Sequence, residues 1–124
     1  MKARTPGGIL VARAAAWLGA AGLALASWTP SEDLIRPGLG GLPEHLLAYF
    51  LTGVSVMIGY PKRSRWAVVI VLSIYAALLE IGQTAVPGRH PGLLDWAGGV
   101  TGALGAWLVV FGLHHLWPAM KRSG

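Results

Sequence analysis

Four apolar stretches, each near the length needed to cross a lipid bilayer, constrain this chain more than any other feature. They run from about Ile9 to Trp28, Glu44 to Tyr60, Trp66 to Val86 and Leu93 to Trp117. A bilayer core takes about 20 apolar residues per helix, with a range of about 17–25. The third stretch fits, the second is short, and the fourth is long enough to tilt. Only Arg13 interrupts the first. Inside hydrocarbon a backbone must satisfy its own hydrogen bonds, so each stretch predicts a helix. Pro30, Pro37, Pro43, Pro61, Pro87, Pro91 and Pro118 fall between the stretches or at their edges, as helix punctuation should. The expected fold is all-α, an integral membrane bundle of four transmembrane helices, in one domain over residues 1–124.

Composition agrees. Hydrophobic residues make up 54% and charged residues 12%, where a soluble domain carries roughly 25% charged. Ten basic and five acidic residues are too few to coat a soluble surface, which argues against a soluble enzyme, a zinc finger or a disordered tail. The absence of cysteine excludes disulfides, a thiol nucleophile, an iron–sulfur cluster and any Cys-ligated metal. The net charge of +5 would suit nucleic acid, but its distribution does not. Lys2, Arg4, Arg13, Lys62, Arg63, Arg65, Lys121 and Arg122 flank the helices on one side, and only Arg36 and Arg89 lie on the other. That asymmetry predicts a multi-pass protein with both termini cytoplasmic and an attraction to anionic lipid. No nucleic-acid partner is expected, since no aromatic platform accompanies the charges. An alternative at the N-terminus is a cleaved signal peptide, with Lys2, Arg4 and Arg13 before Ala14–Leu25. A retained first helix instead needs Arg13 to snorkel to the inner interface.

All five acidic residues fall in the outer half of this topology: Glu32, Asp33, Glu44, Glu80 and Asp95. Glu32 and Asp33 are loop residues. Glu44 follows Pro43, a pairing that suits a helix start. Glu80 differs. It lies fourteen residues after Trp66, about 21 Å along a helix rising 1.5 Å per residue. There an ionisable group costs several kcal/mol unless it is paired, protonated or facing water. Gln83 shares its face. His45 and Tyr49 are four apart on helix two, with Thr52 and Gly53 a turn deeper. Asp95 begins helix four, and Gly98, Gly99, Gly102 and Ala106 continue along its face, a small-residue stripe that lets helices approach closely. Between helices three and four, Pro87-Gly88-Arg89-His90-Pro91-Gly92 forms a tight bend. Arg89 is expected to pair with Glu80 or Asp95. His114, His115 and Trp117 are expected at the inner interface.

The order His45-Leu-Leu-Ala-Tyr49, Leu79-Glu80-Ile-Gly-Gln83 and Pro87-Gly-Arg89-His90-Pro-Gly-Leu-Leu-Asp95, followed by a Gly-rich helix, resembles the VanZ-like family of small bacterial membrane proteins. The resemblance covers about Leu42 to Val110. It implies residence in a bacterial inner membrane and a cell-envelope role, since the family's named member is associated with resistance to the glycopeptide teicoplanin. The family pattern maps onto His45, Tyr49, Glu80, Gln83, Arg89 and Asp95. Gly41 and Leu42 stand where many members have Asp-Lys, and Trp96-Ala97-Gly98-Gly99-Val100 lacks the Asn that often follows the Asp. Roles resting on those two residues are not carried over.

These six residues are the candidate ligand-binding set. The leading expectation is binding of, or chemistry on, a polar lipid or cell-wall precursor at the outer face, a lipid-linked phosphate for example. The outward N-termini of helices two and four favour anions, and Arg89, His45 and His90 are placed to join them. Against that, Glu44, Glu80 and Asp95 outweigh Arg89 in charge. A carboxyl beside His45 has the makings of an acid–base pair, but no nucleophilic serine or complete triad is present, so catalysis is left open. The alternative is a structural or partner-binding protein in which the polar cluster holds the helices together, with self-association as one form of it. No cofactor is expected. No metal is expected either: His45, Glu80, His90 and Asp95 offer N and O donors, but no HxxH or HExxH spacing supports a site. A transporter lacks a polar path through the inner half.

Overall fold

The computed structural model describes residues 5–30 and 41–122. Lys2, Arg4, Glu32, Asp33, Arg36 and the 31–40 part of the first connection lie outside the described residues, as does the Lys121 side chain. Four α-helices follow in order: α1 (Pro6–Trp28), α2 (Gly41–Gly59), α3 (Arg65–Gly82) and α4 (Leu93–Arg122). All four are long and apolar enough to cross a membrane, and no strand occurs among the described residues. The chain is an all-α, four-helix membrane bundle.

Burial is distributed as lipid immersion requires. Large apolar side chains such as Trp17, Leu18, Ile81, Leu93 and Leu108 point outward, while Tyr49, Met57, Leu72 and Leu79 pack inside around the wholly buried Ala103 and Ala106. Apolar burial drives association weakly when the surrounding solvent is equally apolar, so close packing of small residues carries the interface. The central pair is α2 with α4; α1 lies on α2 and α3 on α4. The Gly-rich face of α4 makes the central contact. A methyl group added to Gly102 would run into the Leu46 carbonyl, and one on Gly98 would come within 2.8 Å of Leu42 Cδ1. The small-residue stripe is thus spent inside the chain, and any self-association must use other faces.

Helix ends are pinned by side chains from neighbouring elements. Thr5 caps α1, its hydroxyl accepting from Gly8 N, and Ser64 caps α3 by accepting from Ala67 N, which satisfies amides that have no intrahelical partner. At the C-terminus of α2, Arg13 Nε donates to the Gly59 carbonyl at 2.8 Å, the Arg13 guanidinium lies over the Tyr60 ring, and Trp17 Nε1 donates to Tyr60 Oη. Arg13 therefore does more than snorkel: it ties the start of α1 to the end of α2. Further along, the Tyr75 hydroxyl donates to the Ala20 carbonyl, Trp96 Nε1 donates to Ser73 O, and Trp28 Nε1 donates to Leu79 O. These bonds stitch α1 and α4 to α3.

Four boundaries differ from the sequence expectation. α1 starts at Pro6, ahead of the expected Ile9, and α2 starts at Gly41, ahead of the expected Glu44, so that Pro43 lies in its first turn. The third helix does not run to Val86: α-helix ends at Gly82 and Gln83–Ala85 tighten into a 3-10 turn, with Val86 extended. Pro87 causes this, because the residue before a proline is driven out of the helical region. The fourth helix does not stop at Trp117 but continues through Pro118 to Arg122. Proline there removes the bond that its own nitrogen would make to the carbonyl of His114, and water at a membrane surface can replace it.

Candidate functional site

The cluster forms where α2 begins, α3 ends and α4 begins. His45 sits in the second turn of α2, Glu80 in the last turn of α3 and Asp95 in the first turn of α4. One ligand atom from each lies within 4.8 Å of the others. Three helices therefore deliver three chemically active side chains to one point. Gly98 lets α4 lie close to α2 here, since a Cβ on it would come within 2.8 Å of Leu42 Cδ1 and 3.3 Å of the Leu42 carbonyl.

Glu80 is the centre of the arrangement. It is 8% exposed. Its Oε2 accepts a hydrogen bond from the backbone N–H of Gly92 at 3.0 Å. Its Oε1 faces His45 Nε2 at 3.6 Å, an ion-pair distance outside ordinary hydrogen-bond reach. The Gly92 amide therefore fixes the rotation of the carboxylate and presents the second oxygen to the histidine. Nothing in the sequence marked Gly92 as a partner, since a backbone donor has no residue signature.

The other expected residues separate into two groups. Tyr49, one turn below His45, is buried with its ring against Gly99 of α4, and it forms the floor of the cluster. Gln83 is 2% exposed, and its Nε2 has no hydrogen-bond partner among the described residues. A buried amide donor without an acceptor is unusual, and none of the described residues supplies one to Gln83. Glu44 lies in the first turn of α2, as expected, with Oε1 buried and likewise without a partner among the described residues. Thr52 is turned away from the cluster: its hydroxyl packs against Gly19 of α1.

Arg89 corrects the sequence expectation. The sequence places it to pair with Glu80 or Asp95. Instead its Nε donates to Ser27 O and its Nη2 to Ala26 O, each at 3.2 Å. Those carbonyls belong to the last turn of α1, where carbonyls lack intrahelical partners and the helix dipole is negative. They offer a cation what a carboxylate would. Arg89 thus caps α1, and positive φ at Gly88 (72°) supplies the bend that lets it reach. His90 is exposed and apart from the three clustered residues.

A groove of about 270 Å³ runs beside the cluster between α3 and α4, lined by Ala77, Glu80, Ile81, Pro91, Gly92, Leu93 and Trp96. Its wall is apolar apart from Glu80. It opens where Ile81 and Leu93 face outward, on the surface that meets lipid.

No family model, curated protein or solved structure matches this chain.

Proposed function

We propose that this is a VanZ-like bacterial inner-membrane protein that binds a polar lipid or lipid-linked cell-wall precursor at the outer leaflet through the His45–Glu80–Asp95 cluster. One observation carries this reading: a buried carboxyl in the last turn of α3 is held with a histidine and a second carboxyl beside a groove that opens toward lipid. A buried ionisable group is costly in a membrane, and such groups mark sites of function more often than sites of packing. The excess of basic residues at the opposite end supports placing both termini in the cytoplasm and the cluster at the outer surface. The headgroup would meet the cluster, and Tyr49 and Gln83 would line its lower and upper edges. The family resemblance adds a link to glycopeptide resistance of the teicoplanin type. Whether the site turns over a substrate or only holds one is decided by chemistry on the ligand, and no nucleophilic side chain is assigned.

A second reading has specific support. Gly92 N bonded to Glu80, and Arg89 bonded to the end of α1, both pin the loop that joins α3 to α4. In that reading the cluster is glue, and function lies on a partner-facing surface. Separate Glu80→Gln and Asp95→Asn variants distinguish the two. Each keeps the shape of the side chain it replaces. At matched membrane abundance, the ligand-site reading expects changed teicoplanin susceptibility or lipid profile relative to the wild-type chain. Loss of folded protein in both variants supports the structural reading, and wild-type behaviour in both removes the site.

A further inference from the structure

The charges of this cluster do not suit the anion proposed for it. Glu80 and Asp95 bring two negative charges to one point, and Glu44 adds a third near the start of α2. The cation that the sequence offered as a counterweight, Arg89, is spent on α1. Among the described residues, a phosphate-type headgroup would meet carboxylates with no arginine free to receive it. The geometry of the cluster supplies an answer.

We propose that His45, Glu80 and Asp95 are the ligands of a divalent transition-metal cation, and that this cation gives an anionic headgroup its counter-charge. The second half rests on the headgroup reading above; the first does not. Metal–ligand bonds of about 2.0–2.2 Å in a tetrahedral set place neighbouring donor atoms about 3.3–3.6 Å apart. His45 Nε2 and Glu80 Oε1 stand 3.6 Å apart, the spacing of two ligands on one ion. Gly92 N on the other oxygen of Glu80 is the outer hydrogen bond that orients a ligating carboxylate. Asp95, partly exposed at the first turn of α4, swings in to close the set, contracting a spread that now reaches 4.8 Å. Three protein ligands leave at least one coordination position open for an oxygen of the bound molecule. Gln83, one turn past Glu80 and almost wholly buried, carries a donor with no acceptor among the described residues.

One imidazole and two carboxylates form a mixed nitrogen–oxygen set, suited to zinc or manganese rather than to copper(I) or an iron–sulfur cluster. The absence of a short HxxH motif is no obstacle here. Each ligand comes from a different helix, so the spacing that matters exists only in the folded bundle.

The test uses the full chain in detergent micelles, stripped with chelator and titrated separately with Zn²⁺ and with Mn²⁺ by calorimetry. One ion per chain is expected for at least one of them, and His45→Gln and Asp95→Asn should each weaken binding by about tenfold or more. His90→Ala should bind within about twofold of the wild-type chain. Glu80→Gln should also lose the ion; if it fails to fold, the other two variants decide. Absence of saturable binding, or equal affinity in His45→Gln, Asp95→Asn and the wild-type chain, overturns the metal site. Inorganic pyrophosphate titrated with and without the metal then separates the two claims. Metal binding without pyrophosphate binding keeps the ion and removes its headgroup role. Pyrophosphate binding indifferent to metal keeps the headgroup reading and removes the ion's part in it.

Discussion

The two ends of this bundle use polar residues differently. At the basic end, polarity serves the framework. Arg13 caps α2, Trp17 bonds to Tyr60, and Lys62 and Arg63 stand in the open. A ladder of rings from Trp66 through Trp107 and Phe111 to His115, with centroids 4.3–5.1 Å apart, covers the approach to that surface. Arg65 alone departs from the pattern, with one nitrogen buried and unpartnered among the described residues. The opposite end repeats the framework device: Arg89 caps α1 much as Arg13 caps α2. It then adds what the basic end lacks, a buried carboxyl, a histidine and a second carboxyl drawn to one point. Two arginines in the same role show that loop pinning needs only arginine and carbonyls. The gathering of His45, Glu80 and Asp95 to one point goes beyond that need, and it is the strongest argument for a ligand.

The largest expected effect breaks the frame common to both ends. Gly102→Leu would drive a side chain into the backbone of Leu46, and overpacking of this kind costs about 3 kcal/mol. The variant should lose most of its folded protein, measured by recovery of monodisperse material from membranes. Next comes Glu80→Ala, which strands the Gly92 amide and should cost about 1–3 kcal/mol, read as a lowered midpoint in SDS-driven unfolding. Glu80→Gln, which keeps an acceptor for Gly92, should cost clearly less. Arg13→Ala and Arg89→Ala sharpen the comparison. Each should cost about 1 kcal/mol, the scale of interhelical hydrogen bonds in membranes, and Arg89→Ala should leave Zn²⁺ or Mn²⁺ binding unchanged. If Arg89→Ala instead abolishes ligand binding in a folded protein, the arginine belongs to the site and the two ends differ in another way. The smallest effect is expected at Lys62→Ala, a solvated loop position, within about 0.5 kcal/mol of the wild-type chain.

The four helices were legible because lipid imposes a length and an apolar character on each span. Their ends were less so. Pro87 acts one residue upstream, which shortened α3, and Pro118 was read as a stop although a helix can carry a proline near water. At the site, depth along the helix and shared faces selected Glu80, His45 and Asp95, and the structure gathers all three. Burial of Tyr49 and Gln83 follows from the same faces. The role of Arg89 was hidden because its partners are backbone carbonyls at the end of α1, sixty-odd residues away, and carbonyls look alike in every sequence. Gly92 was hidden for the same reason. The sequence offers His45, Glu80, His90 and Asp95 as donors without a local motif, and only the fold shows that three of them meet within 4.8 Å.

All of this depends on three side chains from three helices acting as one unit. A double-mutant cycle on His45→Gln and Glu80→Gln, with each variant's unfolding followed in an SDS titration, tests that most directly. The account predicts a coupling of about 1 kcal/mol or more between the two positions, whereas additivity within about 0.3–0.5 kcal/mol, the behaviour of distant sites, would contradict it.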